Sequence, residues 1–80
     1  MKVSDAVAKR VSDLLKEREM TLYRLETLSG IQHGHMQWIM GRRGHTVTLT
    51  TVIMLAKGFD MSLTEFLDDE LFDPKNLDDV

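Results

Sequence analysis

Residues 21–49 read TLYRLETLSGIQHGHMQWIMGRRGHTVTL, two short apolar-periodic segments on either side of the turn Ser29-Gly30-Ile31. Thr21 is a good N-cap for the first segment, and Met20 and Leu25 are spaced as the partners of a hydrophobic staple. Leu22, Leu25 and Leu28 are expected to form its buried stripe, with Gly30 ending it. The second segment covers roughly residues 32–40, with Met36, Ile39 and Met40 facing inward. Helical geometry puts residues 33, 34, 37 and 38 on the opposite face, so Gln32, His33, Gly34, Gln37 and Trp38 point outward. A turn this tight joins two helices at a steep angle and leaves the second standing proud of the body.

The flanks also read as helix. Val3, Val7, Val11, Leu14 and Leu15 recur every three or four residues, which predicts a helix over about 4–17. Residues 46–51 are ambiguous, because Thr46-Val47-Thr48-Leu49-Thr50 alternates with the period of a strand. Leu49, Val52, Ile53 and Ala56 run at helical spacing, Thr48 can cap, Val47 and Val52 can staple, and Gly58 supplies a stop. The reading is therefore a loop to Val47 and then a helix. Ser62-Leu63-Thr64-Glu65 is a capping box, with Met61 and Phe66 as its staple. That last helix fades before Pro74, and residues 72–80 are expected to be a frayed acidic tail. The fold class is all-α, five helices in one domain over residues 1–71.

Eighty residues suit one domain near the lower limit of what folds without staples. The absence of cysteine removes disulfides and suits a reducing compartment. The N-terminal charges are too frequent for a signal peptide and no segment reaches membrane-spanning length, so a cytoplasmic protein with no membrane contact is expected. Net charge is −3, but it is unevenly spread. Residues 1–45 hold eight basic residues against five acidic ones, a net of +3, whereas residues 46–80 hold two against eight, a net of −6. The outward polar face lies in the basic half.

This helix order, with a tight glycine turn between helices two and three, resembles the lambda-repressor-like DNA-binding domain, the Cro and phage-repressor (XRE) family of helix-turn-helix regulators. Thr21, Leu25, Ser29-Gly30-Ile31, Met36, Ile39, Leu49, Val52, Ala56, Gly58 and the Ser62-to-Leu67 ending carry the resemblance over about residues 5–70. It implies a third helix docked in the DNA major groove. Gln32, His33, Gly34, Gln37 and Trp38 then become the base-reading set, with Gln37 or Gln32 suited to bidentate bonding of adenine. Thr21 and Tyr23, with Arg42, Arg43 and His45, are placed to hold phosphates. The chain departs from the family pattern in an early Gly41, in Leu22 where glutamine is usual, and in Gly34 within the reading helix.

Trp38 has two readings, a core residue or an exposed contact for thymine methyls and sugar-phosphate. His33 and His35 form an H-x-H pair, but i and i+2 on a helix point about 200° apart, so no metal is expected. Six methionines suit gap filling in a small core. No cofactor and no enzymatic role is expected, since no nucleophile has a His and a carboxylate at recognisable spacing. Phe66 is expected in the core, with Leu71 and Phe72 partly exposed beside Leu67 as a strip suited to a homodimer contact. The expected function is a sequence-specific double-stranded-DNA-binding regulator, a repressor acting as a dimer on an inverted repeat. The alternative is a protein-binding module, such as the antitoxin of a toxin–antitoxin pair, whose acidic C-terminal segment orders on a basic partner.

Overall fold

The computed structural model describes residues 1–41 and 46–80. Among these lie five α-helices and two single turns of 3-10 helix: α1 (Val3–Glu17), α2 (Leu22–Ser29), α3 (His33–Gly41), α4 (Leu49–Gly58), α5 (Leu63–Leu67), and the turns Glu70–Phe72 and Pro74–Asn76. The helix starts follow the side-chain chemistry of the sequence. Thr21 Oγ1 accepts the Arg24 N–H at 3.1 Å, Thr48 Oγ1 accepts that of Thr51 at 3.2 Å, and Ser62 and Glu65 close a reciprocal capping box. Each cap satisfies a first-turn donor that has no partner within its own helix. Thr46 to Thr48 are not helical and α4 begins at Leu49, so the strand-like alternation gives way to the helical period.

The core gathers Val7, Val11 and Leu14 of α1, Leu25 of α2, Met36 and Ile39 of α3, Val52, Leu55 and Ala56 of α4, then Phe59 and Phe66. α2 packs chiefly on α4, α4 on α5, and α1 on α3 and the first 3-10 turn. The expected Leu22-Leu25-Leu28 stripe is corrected. Leu25 is fully buried, Leu22 only partly, and Leu28 is 39% exposed. Residues 22 and 28 lie about 120° apart on a helix, whereas 25 and 29 lie about 40° apart. The buried pair is accordingly Leu25 and Ser29.

Ser29 can be buried because Gly58 lies against it. A Cβ at Gly58 would come within 2.7 Å of Leu25 Cδ1 and 2.9 Å of Ser29 Cβ. Gly58 is the last residue of α4, as expected, and the left-handed conformation that reverses the chain is taken two residues later by Asp60 (φ 56°). The Met61 N–H bonds to the Ala56 carbonyl and the Asp60 N–H to that of Lys57, the paired bonds of a Schellman motif. α1 ends the same way, with Glu19 at φ 53°, Met20 N–H on the Leu15 carbonyl and Glu19 N–H on that of Lys16.

The acidic end is held rather than frayed. α1 has no side-chain cap of its own at Lys2, and the Asp79 carboxylate accepts the Val3 N–H at 3.0 Å. The Met1 ammonium donates to the Asn76 carbonyl at 2.9 Å and pairs with Asp78 at 3.1 Å. A carboxylate at a helix N-terminus meets the positive end of the macrodipole, so the position of these acids has a local physical reason.

Candidate nucleic-acid interface

The second helix of the Thr21–Gly41 pair is fixed from beneath. Gly30 takes a φ of 78°, which glycine adopts without strain, and the Ile31 N–H donates to Ser29 Oγ at 3.2 Å. Ile31 enters the core, followed by Met36 and Ile39, while Met40 is half-buried against it. With that side of α3 committed to packing, Gln32, His33, Gly34, His35, Gln37 and Trp38 are exposed. All five residues read from the sequence as the outward set therefore lie together on or just before α3.

Their surroundings differ. His33 Nδ1 is 3.0 and 3.2 Å from the two carboxylate oxygens of Glu26 on α2, a direct side-chain bridge across the turn. The sequence reading missed Glu26, because a pair seven residues apart across a turn leaves no periodic signal. Trp38 is 39% exposed and, with His35, Ile39, Val47, Thr48 and Thr51, lines a cleft of about 150 Å³ between α3 and the start of α4. Its two alternative readings thus resolve into a part-exposed ring at the edge of the face. His35, which the sequence reading left out, is exposed and borders the same cleft.

Of the residues expected to hold phosphates, Thr21 and Tyr23 sit at the start of α2, both exposed. Arg42, Arg43 and His45 lie outside the described residues. Leu22, where glutamine is usual, is half-buried against the core and offers no polar group. Several basic side chains of the N-terminal half are engaged by the protein's own groups. Arg10 donates to the carbonyls of Phe66 and Glu65 and pairs with Asp69, and Arg18 donates to the Phe59 carbonyl. Lys9 pairs with Asp13 at 2.6 Å. Among the described residues no helix is long and apolar enough to cross a membrane.

A capped helix, a glycine turn and a second helix with a polar outer face above a buried inner one define a helix-turn-helix DNA-binding protein. A family model for the Cro/C1-type HTH DNA-binding domain matches residues 10–71, and the chain belongs to that family. This agrees with the resemblance read from the residues and with an all-helical fold, and it makes the protein a DNA-binding regulator of transcription. Comparison with curated proteins and with solved structures gave no match.

Proposed function

We propose that the protein represses transcription by occupying an operator as a dimer, with α3 in the major groove. The observation that carries this reading is the division of α3, in which Met36 and Ile39 are buried and Gln32, His33, Gly34, Gln37 and Trp38 are exposed. In this reading Gln37 and Gln32 contact base edges, where a glutamine amide can bond adenine N6 and N7 together. His33 contributes one further polar contact, Gly34 lets the backbone approach, and the exposed edge of Trp38 meets thymine methyls or sugar. Thr21 and Tyr23 hold phosphate at the positive end of α2, and Arg42, Arg43 and His45 take the same role on the strength of the sequence.

Dimerisation is proposed through the strip at Leu67, Leu71 and Phe72. Leu67 is 37% exposed and the other two are half-buried, which supports the contact expected there. A two-fold dimer implies an inverted-repeat operator with half-sites roughly 34 Å apart. With so much acid in its second half, the protein gains little from non-specific phosphate attraction, so its affinity is expected to be modest and steeply salt-dependent. The second reading, an acidic segment that orders on a basic partner protein, draws less support, because Asn76, Asp78 and Asp79 already bond to Met1 and Val3.

The test is selection from a randomised duplex pool at low and moderate salt. An enriched inverted repeat with salt-sensitive binding is expected. Recovery of no motif, with binding indifferent to salt, contradicts the proposal.

A further inference from the structure

The Glu26–His33 bridge is built unlike an ordinary surface ion pair. The Glu26 side chain is only 12% exposed, whereas that of His33 is 74% exposed. The carboxylate is thus the anchored partner and the imidazole the presented one. Glu26 lies mid-way along α2, and its backbone carbonyl accepts the Gly30 N–H at 3.0 Å, so its position is set by the turn itself. Both carboxylate oxygens face Nδ1, at 3.0 and 3.2 Å.

The chemistry of this contact is one-sided. An ionised carboxylate can only accept, so Nδ1 must carry the proton. In neutral imidazole the other nitrogen is then a bare acceptor. Nε2 is the ring nitrogen turned away from Glu26, and among the described residues it has no partner within hydrogen-bond or ion-pair distance. An unrestrained imidazole side chain favours the opposite tautomer, with the proton on Nε2. The bridge therefore reverses the hydrogen-bonding sense of the edge that His33 presents.

Resting on the placement of α3 in the major groove proposed above, we infer that Glu26 is a specificity-determining residue that acts through His33. By holding the Nδ1–H tautomer it makes His33 select a base that offers an amino group. The major-groove donors are adenine N6 and cytosine N4, whereas guanine N7 and O6 and thymine O4 are acceptors. A bare Nε2 accepts from the first two and faces lone pair against lone pair at the others. Glu26 never touches DNA in this arrangement. It is a positioning residue whose effect is confined to the base pair facing His33.

The experiment is duplex selection at about pH 8 with wild type, Glu26→Ala, His33→Ala and the double variant, all checked for helicity and cooperative melting. The position at which His33→Ala loses preference marks the base pair that His33 faces. At that base pair wild type is expected to lose its His33-dependent affinity when the exocyclic amino group is deleted (purine in place of adenine, or 2-pyrimidinone in place of cytosine), and to keep it when the purine N7 is replaced by carbon. Glu26→Ala is expected to cut that selectivity about tenfold, with the other positions unchanged and no further loss in the His33→Ala background. Removing the Glu26 charge will also raise affinity for every sequence, and ratios between sequences cancel that effect. Long-range ¹⁵N–¹H NMR of the imidazole in the free protein is expected to find the proton on Nδ1 in wild type and on Nε2 in Glu26→Ala.

His33-dependent affinity that survives deletion of the exocyclic amino group, an unaltered preference in Glu26→Ala, an equal effect of Glu26→Ala with and without His33, or an Nε2–H tautomer in the free wild type each overturns the inference alone. If wild type enriches no motif at all, the placement of α3 in the groove fails, and the inference falls with it.

Discussion

Arg10 donates its Nε–H to the carbonyl oxygen of Phe66 at 2.8 Å, and its guanidinium carbon lies 5.9 Å from the centre of the same residue's ring. The contact joins α1 to the end of α5, where helix carbonyls lack intrahelical donors. It also removes Arg10 from the charge available to nucleic acid. Arg10→Ala leaves the Phe66 and Glu65 carbonyls without this donor and is expected to cost about 2 kcal/mol in denaturant unfolding. Arg10→Lys should recover less than half of that, because an ammonium cannot reproduce the fork. Neither variant should alter the salt slope of DNA binding, and a changed slope would show that Arg10 serves the interface after all.

The glycines of α3 and α4 make opposite predictions. Gly34 has open space where a Cβ would stand, so Gly34→Ala is expected to raise stability by about 0.5–1 kcal/mol through helix propensity. If backbone approach at Gly34 matters, the same variant binds DNA more weakly. Gly58→Ala carries the same propensity gain but meets Leu25 and Ser29 below 3 Å, and overpacking of this kind costs about 1–3 kcal/mol. Thermal melts of the two variants should therefore move in opposite directions.

Glu19 and Asp60 each hold a left-handed conformation that a side chain disfavours. Replacing Glu19, which is exposed and whose side chain has no hydrogen bond or ion pair among the described residues, with glycine removes that steric cost. Glu19→Gly is expected to stabilise the fold by roughly 1 kcal/mol against the added freedom of the unfolded chain. A fall in melting temperature would mean that Glu19 makes a contact the helix end depends on.

The Glu65 carboxyl is held below the usual carboxylate range, first by the hydrogen bond from the Ser62 N–H, then by the Ser62 hydroxyl, with a smaller contribution from the Arg18 charge. A depressed folded-state pKa stabilises the native form above the unfolded-state value, and that contribution is lost as pH falls through the folded one. Stability conferred by the capping box should thus be fully present at neutral pH and decline below about pH 4.3. Glu65→Gln should flatten the acid limb of the stability curve. Ser62→Ala is expected to cost about 1 kcal/mol at pH 7, and a wild-type acid limb that survives Glu65→Gln unchanged would contradict this origin.

Helix order, caps and the outward face of α3 were legible because each rests on local rules. Thr21, Thr48 and Ser62 cap the helices that follow them, and the spacing of Met36 and Ile39 assigns the inner face of α3. What the sequence concealed depends on contacts between elements. Leu28 looks like a core residue until the α2–α4 crossing selects Leu25 and Ser29. Gly58 ends α4 as read, but its close fit against Leu25 and Ser29 shows only in the folded protein. Net charge by halves overstated the basic surface, since Arg10 is withdrawn against α5 and paired with Asp69. The acidic end looked frayed because no local pattern reveals that Asp79 caps α1. Glu26 escaped notice for the same reason, its role visible only once α2 and α3 are folded together.

Whether the exposed face of α3 reads base edges can be decided at Gln37, which is exposed and outside the core. The measurement is the affinity of wild type and Gln37→Ala for the selected operator and each of its single-base variants, at two salt concentrations. Gln37→Ala is expected to lose roughly 1–3 kcal/mol of discrimination at one base pair per half-site with the salt slope unchanged. Arg43→Ala, by contrast, should weaken all sequences alike and lower the slope. Equal weakening of every sequence by Gln37→Ala, with no base pair losing its preference, would contradict base reading by this face.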